Sequence, residues 1–295
     1  MGSSDTAKLG YVAGEGAALP GYVCPDCKAP LERLHCARCG FDFPRVAGIP
    51  RLLSRDPRFE GVETISAAYD RIYDTQSNVW QPQGRTPEFI RYFSSLLDRF
   101  HAARFLEIVC GEGILLATRR HAEKYAVDLS ASAIRKAGAR TDAHFSLALA
   151  ERLPFPPDHF DLVTSVGVME HFLDTGEALR EIRRILKPGG HYVSLTHVEL
   201  TFRDRFARRL GEFVFPRPRP VRLARWLGQW LRRRLARKRQ EFVRQPIQNQ
   251  YTTRGAKAWL AKSGFTVTEV LHTGKYPELP LIGPYVVIYV ARKPL

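Results

Sequence analysis

The nine residues Phe105-Leu106-Glu107-Ile108-Val109-Cys110-Gly111-Glu112-Gly113 constrain this chain more than any other stretch. They read as a buried strand that ends in a tight glycine turn and enters a helix. Twenty-one residues after Glu107, a second short strand, Tyr125-Ala126-Val127, closes on Asp128. A strand, a Gly-x-Gly turn, a helix and a strand-terminal carboxylate together make a cradle for a nucleotide cofactor. The glycines let the backbone approach the ligand, and Asp128 can accept hydrogen bonds from ribose hydroxyls. A lone Gly-x-Gly arises often by chance, so the segments that follow carry the weight.

From Arg104 the pattern alternates strand and helix. Strands are expected near 104–109, 123–128, 143–148, 160–166 and 190–196. A helix is expected from Gly176 to Lys187, with Leu179, Ile182, Ile185 and Leu186 as its apolar stripe. Asp174 suits its N-cap, Glu177 stands three residues on, and Pro188-Gly189-Gly190 should stop it. A helix near 253–263 and strands at Phe265–Val270 and Tyr285–Val290 end the pattern. Alternation of this kind implies an α/β fold with a mainly parallel sheet covered on both faces. The last two strands lack a long helix between them, which suggests an antiparallel closing hairpin. The chain divides into a tail at 1–20, a cysteine-bearing unit at 21–54, a helical linker or lid at 55–100, the cofactor domain at 101–200 and 246–295, and a basic insertion at 201–245.

The stretch from Glu107 to Gly190 resembles class I S-adenosylmethionine-dependent methyltransferases, in the small-molecule branch related to quinone-biosynthesis enzymes. The matching segments are the glycine turn, Val127-Asp128-Leu129-Ser130, Glu151-Arg152-Leu153-Pro154-Phe155, Phe160-Asp161-Leu162-Val163, Met169-Glu170-His171-Phe172 and Leu186-Lys187-Pro188-Gly189-Gly190. The resemblance implies a Rossmann-like seven-stranded sheet with an antiparallel last strand. It also implies that Glu107 serves the methionine amino group, that Gly111 and Gly113 let the backbone reach the cofactor, and that Asp128, with Leu129 beside it, holds the ribose. Leu149, Ala150 and Glu151 fall along the adenine, Ser165 beside the sulfonium, and Tyr69 or Tyr73 on a covering helix. Two positions depart from the family. Val109 stands where a glycine is usual; valine resists positive φ, so the turn is expected to pivot at Gly111 instead. Leu149 stands where an Asp often accepts from the adenine amino group, removing a charge-assisted bond worth roughly 1.5–3 kcal/mol. A chain that has lost its cofactor and serves as a scaffold is therefore one reading.

Methyl transfer requires alignment of donor and nucleophile, and a hydroxyl or carbon nucleophile also needs a base. Glu170, His171 and His197 are the candidates, because they follow the fourth and fifth strands, where open α/β sheets bind ligands. Of the two histidines, the sequence reading favours His171. No Asn/Asp-Pro-Pro-Tyr motif is present, which argues against methylation of exocyclic amines on DNA bases. Cytosine C5 chemistry needs a nucleophilic cysteine, and Cys110 in the glycine turn is the sole cysteine outside the cluster described next.

Cys24, Cys27, Cys36 and Cys39 form a Cys-x2-Cys pair, an eight-residue spacer and a second such pair. This spacing suits a structural Zn²⁺ with four thiolates and no open position. A unit this small needs the metal for its folding energy. The segment also resembles the short zinc-binding domain that activates some tRNA and protein methyltransferases, down to Gly48-Ile49-Pro50-Arg51-Leu52-Leu53, and the zinc domain of an rRNA guanine methyltransferase.

The formal net charge of +15 is local: between Thr201 and Gln245 stand fourteen Arg and one Lys against Asp204, Glu212 and Glu241. Leu223, Trp226, Leu227, Trp230 and Leu231 share one stripe of a helix there, with arginines off it. Residues 221–239 thus fit an interfacial membrane helix, a lid over the acceptor pocket, or a track for nucleic-acid phosphates. No apolar run approaches the roughly 18 residues of a membrane span. The expected location is cytoplasmic, with membrane association as an option. The leading functional expectation is methyl transfer to O or C of a small or lipid-like acceptor; an RNA methyltransferase is the alternative, with nucleic acid the less favoured partner. Oligomeric state stays open.

Overall fold

The computed structural model describes residues 21–75, 86–120, 122–199, 249–272 and 285–295. Its centre is one sheet of seven strands: β5 (Arg104–Ile108), β6 (Glu123–Asp128), β7 (His144–Leu147), β8 (Phe160–Val166), β9 (Leu186–Val198), β10 (Thr266–His272) and β11 (Tyr285–Arg292). The spatial order is β10-β11-β9-β8-β5-β6-β7, and β11 runs antiparallel to both neighbours while the other pairs are parallel. The expected seven-stranded sheet and antiparallel last strand are therefore present. Strand order reverses between β5 and β8, so the crevice for a ligand opens at their carboxyl ends.

Alternation along β5 assigns the two faces. Leu106 and Ile108 face α4 (Thr175–Ile185) and α5 (Thr253–Lys262), in one core with Leu179, Ile182 and Leu260. Phe105 faces α2 (Pro87–Leu97) and α3 (Ala131–Gly138), in a second core with Phe93, Leu97 and Ile134. The fifth helix of consequence to the site, α1 (Val62–Thr75), lies along α3.

Asp174 caps α4 as expected, its side chain accepting from the Glu177 amide at 2.8 Å. The helix ends at Ile185, two residues before the expected Lys187. Leu186 is already extended, with φ −74° and ψ 139°, because it pairs with Phe160 in the sheet. Pro188 also disfavours a helical residue before it.

The cysteine-bearing unit is two small hairpins, β1 (His35–Cys36) with β2 (Phe41–Asp42) and β3 (Arg45–Val46) with β4 (Ile49–Pro50). Its apolar residues do not form a core of their own. Tyr22, Cys24, Leu34, Cys36, Phe43 and Leu52 merge with the α4 side of the main core. Just past β4, Arg51 bridges Leu147 in parallel and the Leu52 amide donates to the Leu147 carbonyl at 2.8 Å. The unit thereby covers the outer edge of β7, which would otherwise offer unpaired backbone groups. The tail at 1–20, the basic insertion and the expected helix at 221–239 lie outside the described residues.

Candidate active site

The turn after β5 is left-handed at three places: Val109 (φ 55°), Gly111 (φ 52°) and Gly113 (φ 68°). The expectation that valine would keep out of this region is wrong. The backbone pivots at Val109 as it would with glycine, because the strand must break there for Cys110 to bond back to the Val127 carbonyl at 3.2 Å. A β-branched residue pays roughly 1–2 kcal/mol for this conformation. Gly113 is required twice over, since a Cβ there would sit 2.7 Å from the Ala137 Cβ of α3.

Asp128 ties this turn to the end of β6. One carboxylate oxygen accepts from the Gly111 amide and the other from the Ser130 amide, each at 2.9 Å. Burial pushes its carboxyl up to about 6, against the pull of those amides. Ser130, not Asp128, caps α3, its hydroxyl accepting from the Ala133 amide. Glu107 is buried on β5, one register position below Ile108. Glu112, which the sequence reading passed over, is buried inside the turn with Lys136 of α3 and Arg140 just past that helix each 3.5 Å away.

Helix α1 lies over the turn from β6 into α3. Ser66 donates to the Leu129 carbonyl at 2.6 Å, and Asp70 accepts from the Ser130 hydroxyl and the Ser132 amide at 2.7 and 3.0 Å. Tyr73 is buried against Ala133 of α3, and its carbonyl accepts from Lys136. Tyr69 is half-buried on the same helix; burial first, then the negative charges of Asp128 and Glu170, raise its phenol well above the usual range.

The opposite wall is apolar. Leu149 packs with Leu53, Phe59 and Val62, and Leu129 adjoins them. The position where a carboxylate is common is thus filled by hydrocarbon in a hydrocarbon setting. Ala150 is buried beside it. Glu151 turns its carboxylate away to the loop after β8, accepting from the Leu173 and Asp174 amides at 2.7 and 3.3 Å. Burial pushes that carboxyl up to about 7. Arg152 meets Glu177 and Asp56, and its guanidinium lies 5.2 Å from the centre of the Phe59 ring.

Past β8, Ser165 is fully buried and shares a 2.7 Å hydrogen bond with the Tyr192 hydroxyl. The next turn, Met169–His171, sets the buried Glu170 against β9, where its Oε1 is hydrogen-bonded to Nδ1 of His197. The two residues are 27 apart in sequence. The other oxygen, Oε2, is buried and finds no hydrogen-bond partner among the described residues. The His197 ring is 39% exposed. A neutral imidazole that donates from Nδ1 to a carboxylate presents Nε2 as an acceptor. Gly167, at φ 65°, makes room: a Cβ there would lie 3.2 Å from His197 Cε1. His171 is half-buried on the same turn as Glu170, its amide held by the Val168 carbonyl, while Glu170 pairs with His197. The chain returns from the insertion to brace the turn: the Asn249 amide donates to the Glu170 carbonyl at 2.7 Å, and the Tyr251 hydroxyl donates to the Met169 carbonyl at 3.3 Å.

The four cysteines come together on the far side of β7. Their sulfurs all lie within 4.8 Å, with Cys27–Cys36 at 3.5 Å and Cys24–Cys39 at 3.9 Å. A tetrahedron of about 2.3 Å metal–sulfur bonds has edges of roughly 3.8 Å, so these thiols fit a Zn²⁺ ion. The Ala29 amide pulls the Cys27 thiol down to about 7.

The sheet and the cradle it carries resemble those of S-adenosylmethionine-dependent methyltransferases. Residues 106–194 match a family model described as a methyltransferase domain. The chain is 29% identical over 135 residues to a ubiquinone biosynthesis O-methyltransferase of Alkalilimnicola ehrlichii, covering 41% of this chain and 55% of that protein. It is 34% identical over 94 residues to the ubiquinone/menaquinone biosynthesis C-methyltransferase UbiE of Vibrio vulnificus, covering 32% and 35%. The chain thus spans about half the length of the first relative and about a third of the second. Among solved structures, a SAM-dependent methyltransferase of Thermotoga maritima shares the fold with a TM-score of 0.51 and 21% identity, over 78% of this chain and 99% of that one.

Proposed function

We propose that this chain transfers a methyl group from S-adenosylmethionine to O or C of a small or lipid-like acceptor, with His197 as the base and Glu170 as its orienting partner. The observation that carries this reading is the placement of the Glu170–His197 pair at the carboxyl ends of β8 and β9, beside the switch point where Asp128 grips the glycine turn. The relatives' names, one an O- and one a C-methyltransferase, agree with the acceptor class and leave the atom open.

S-adenosylmethionine, when bound, supplies a methyl group activated by a positive sulfur. The residues that fit it are Asp128 for the ribose, the Val109–Gly113 turn and Glu107 for the amino-acid end, and Leu129, Leu149 and Ala150 for the adenine, with Ser165 below the crevice. Leu149 offers apolar contact without the hydrogen bond that a carboxylate would add. His197 accepts the acceptor's proton at Nε2, and Glu170 stabilises the imidazolium that results. This moves the base from His171, which the sequence favoured, to His197. Tyr69 and Tyr73 belong to the helix that shields the crevice. The cysteine centre holds Zn²⁺ in a structural role.

Calorimetry with S-adenosylhomocysteine tests the cofactor assignment: micromolar binding is expected, and no binding would leave only a scaffold of this fold. The base is tested by turnover. His197→Ala should lower kcat by about 10²–10⁴-fold, Glu170→Gln by a smaller factor, and His171→Ala little. Full activity of His197→Ala across pH would remove the base assignment.

A further inference from the structure

The knuckle Cys24-Pro25-Asp26-Cys27-Lys28 carries two charged side chains that are not ligands, one between its thiols and one just after them. Lys28 clips the main domain, and Asp26 clips the segment by which the chain leaves the cysteine unit. Asp26 accepts from the Ser54 hydroxyl at 2.5 Å and the Arg55 amide at 3.2 Å, and its second oxygen meets Arg55 Nε at 3.3 Å. The residue before Ser54 is Leu53, which packs on Leu149. Lys28 reaches the other side. Its ammonium lies 2.7 Å from Glu181 of α4 and donates to the Leu153 carbonyl at 3.4 Å. Glu181 is also held by Arg184, which itself donates to the Leu153 and Phe155 carbonyls at 3.1 and 2.8 Å. The amide of Val23, just before the first thiol, donates to the Pro154 carbonyl at 3.0 Å. The segment from Leu149 to Phe155 is therefore tied to the knuckle at both ends, at Leu153 and Pro154 through Lys28 and Val23 and at Leu149 through Leu53.

The knuckle's backbone needs fixing. Lys28 stands at φ 61°, a left-handed conformation that a lysine does not choose unaided. The four sulfurs lie within 4.8 Å of one another, a spacing at which one tetrahedral ion would tie both knuckles together.

We propose that the cysteine centre positions the adenine-side wall of the cofactor pocket, with Lys28 and Asp26 as the positioning residues through which metal occupancy sets cofactor affinity. This rests on the reading that Leu129, Leu149 and Ala150 line the adenine. Loss of the metal frees the knuckle turn, the two clips open together, and the wall loosens before the sheet unfolds. Agents that strip or oxidise the thiols then act on the cofactor site from its far side.

The test uses the full chain, its zinc content measured by mass spectrometry and S-adenosylhomocysteine affinity by calorimetry. Lys28→Met and Glu181→Gln each break one clip from opposite ends. With one zinc per chain retained, each should weaken binding by about tenfold, as expected for a bond to a charged group. The double variant should be little worse than either single one, and Lys28→Arg should recover most of the loss. Hydrogen exchange at the amides of residues 149–155 should quicken in both single variants, a change that does not depend on cofactor. Zinc-loaded variants that bind as the wild type does, with unchanged exchange, would overturn the proposal while leaving the cofactor assignment intact. A wild type that fails to bind at all would instead remove the cofactor assignment, and this proposal with it.

Discussion

Two residues of one turn show how side chain and backbone compete. Val109 and Gly113 both hold left-handed conformations, but only one is glycine. At Val109, replacement by glycine relieves roughly 1–2 kcal/mol of strain and gives back a comparable amount in chain entropy and lost packing. Val109→Gly should therefore leave denaturant stability within about 1 kcal/mol of wild type. Gly113→Ala brings left-handed strain and an overlap with Ala137, a backbone-anchored methyl that has little room to yield. It should cost about 2–4 kcal/mol, measured by urea unfolding, and lower cofactor affinity as well. A mild Gly113→Ala would mean that α3 can retreat from the turn. The sequence could not settle Val109. Its β-branched side chain argues for extended backbone, and only the hydrogen bond from Cys110 back to Val127 shows what overrides that preference.

At the scale of elements, the strands and most helices were legible because their periods are strong and their ends are marked; the helix expected after the glycine turn is only a 3-10 turn at Leu116–Thr118. Asp174 caps α4, and the strand positions agree to within a few residues. The end of α4 was not legible, because pairing of Leu186 with Phe160 is a contact between elements rather than a local signal. The proposed base was legible only as one of a set of candidates. Glu170 follows β8 and His197 closes β9, and their meeting depends on the register between those strands and on the space left by Gly167. The loop clamps carry a pH dependence of their own. Asp128 and Glu151 are buried at the ends of β6 and β7, and both titrate higher in the fold, at about 6 and about 7, than as free carboxyls. Between the free and folded values the native state holds more protons than the unfolded state, so these two groups make stability fall as pH rises from about 4 to 7. Cofactor binding has the opposite sign. In the proposed cofactor site ribose hydroxyls donate to the ionised form of Asp128, so affinity for S-adenosylhomocysteine should fall by up to about tenfold per pH unit below 6. Calorimetry at pH 7.5, 6 and 5, with Asp128→Asn as the flat reference, checks this. A wild-type affinity constant over that range would contradict the role of Asp128.

For the whole molecule, the decisive fact is that the cysteine-bearing unit has no separate core. Cys24 and Cys36 are fully buried in the same cluster as Phe160, Leu179 and Tyr192. The unit is also joined through the edge of β7 and through the ion pair of Lys28 with Glu181. A zinc domain that folded alone would melt alone and leave the sheet intact. Here, loss of the proposed metal should weaken the whole fold, because the knuckle's apolar residues fill one end of the main core and the segment that follows covers an otherwise open strand. Calorimetric heating of the full chain should give one transition. Excess chelator should move that transition down by roughly 10 °C or more, since each kcal/mol is worth about 2–4 °C in a domain of this size and structural zinc supplies several. The chelated protein should also aggregate more readily on warming, through the uncovered edge of β7. Two separate transitions, with the upper one insensitive to chelator, would show instead that the cysteine unit is a rider on an independent sheet.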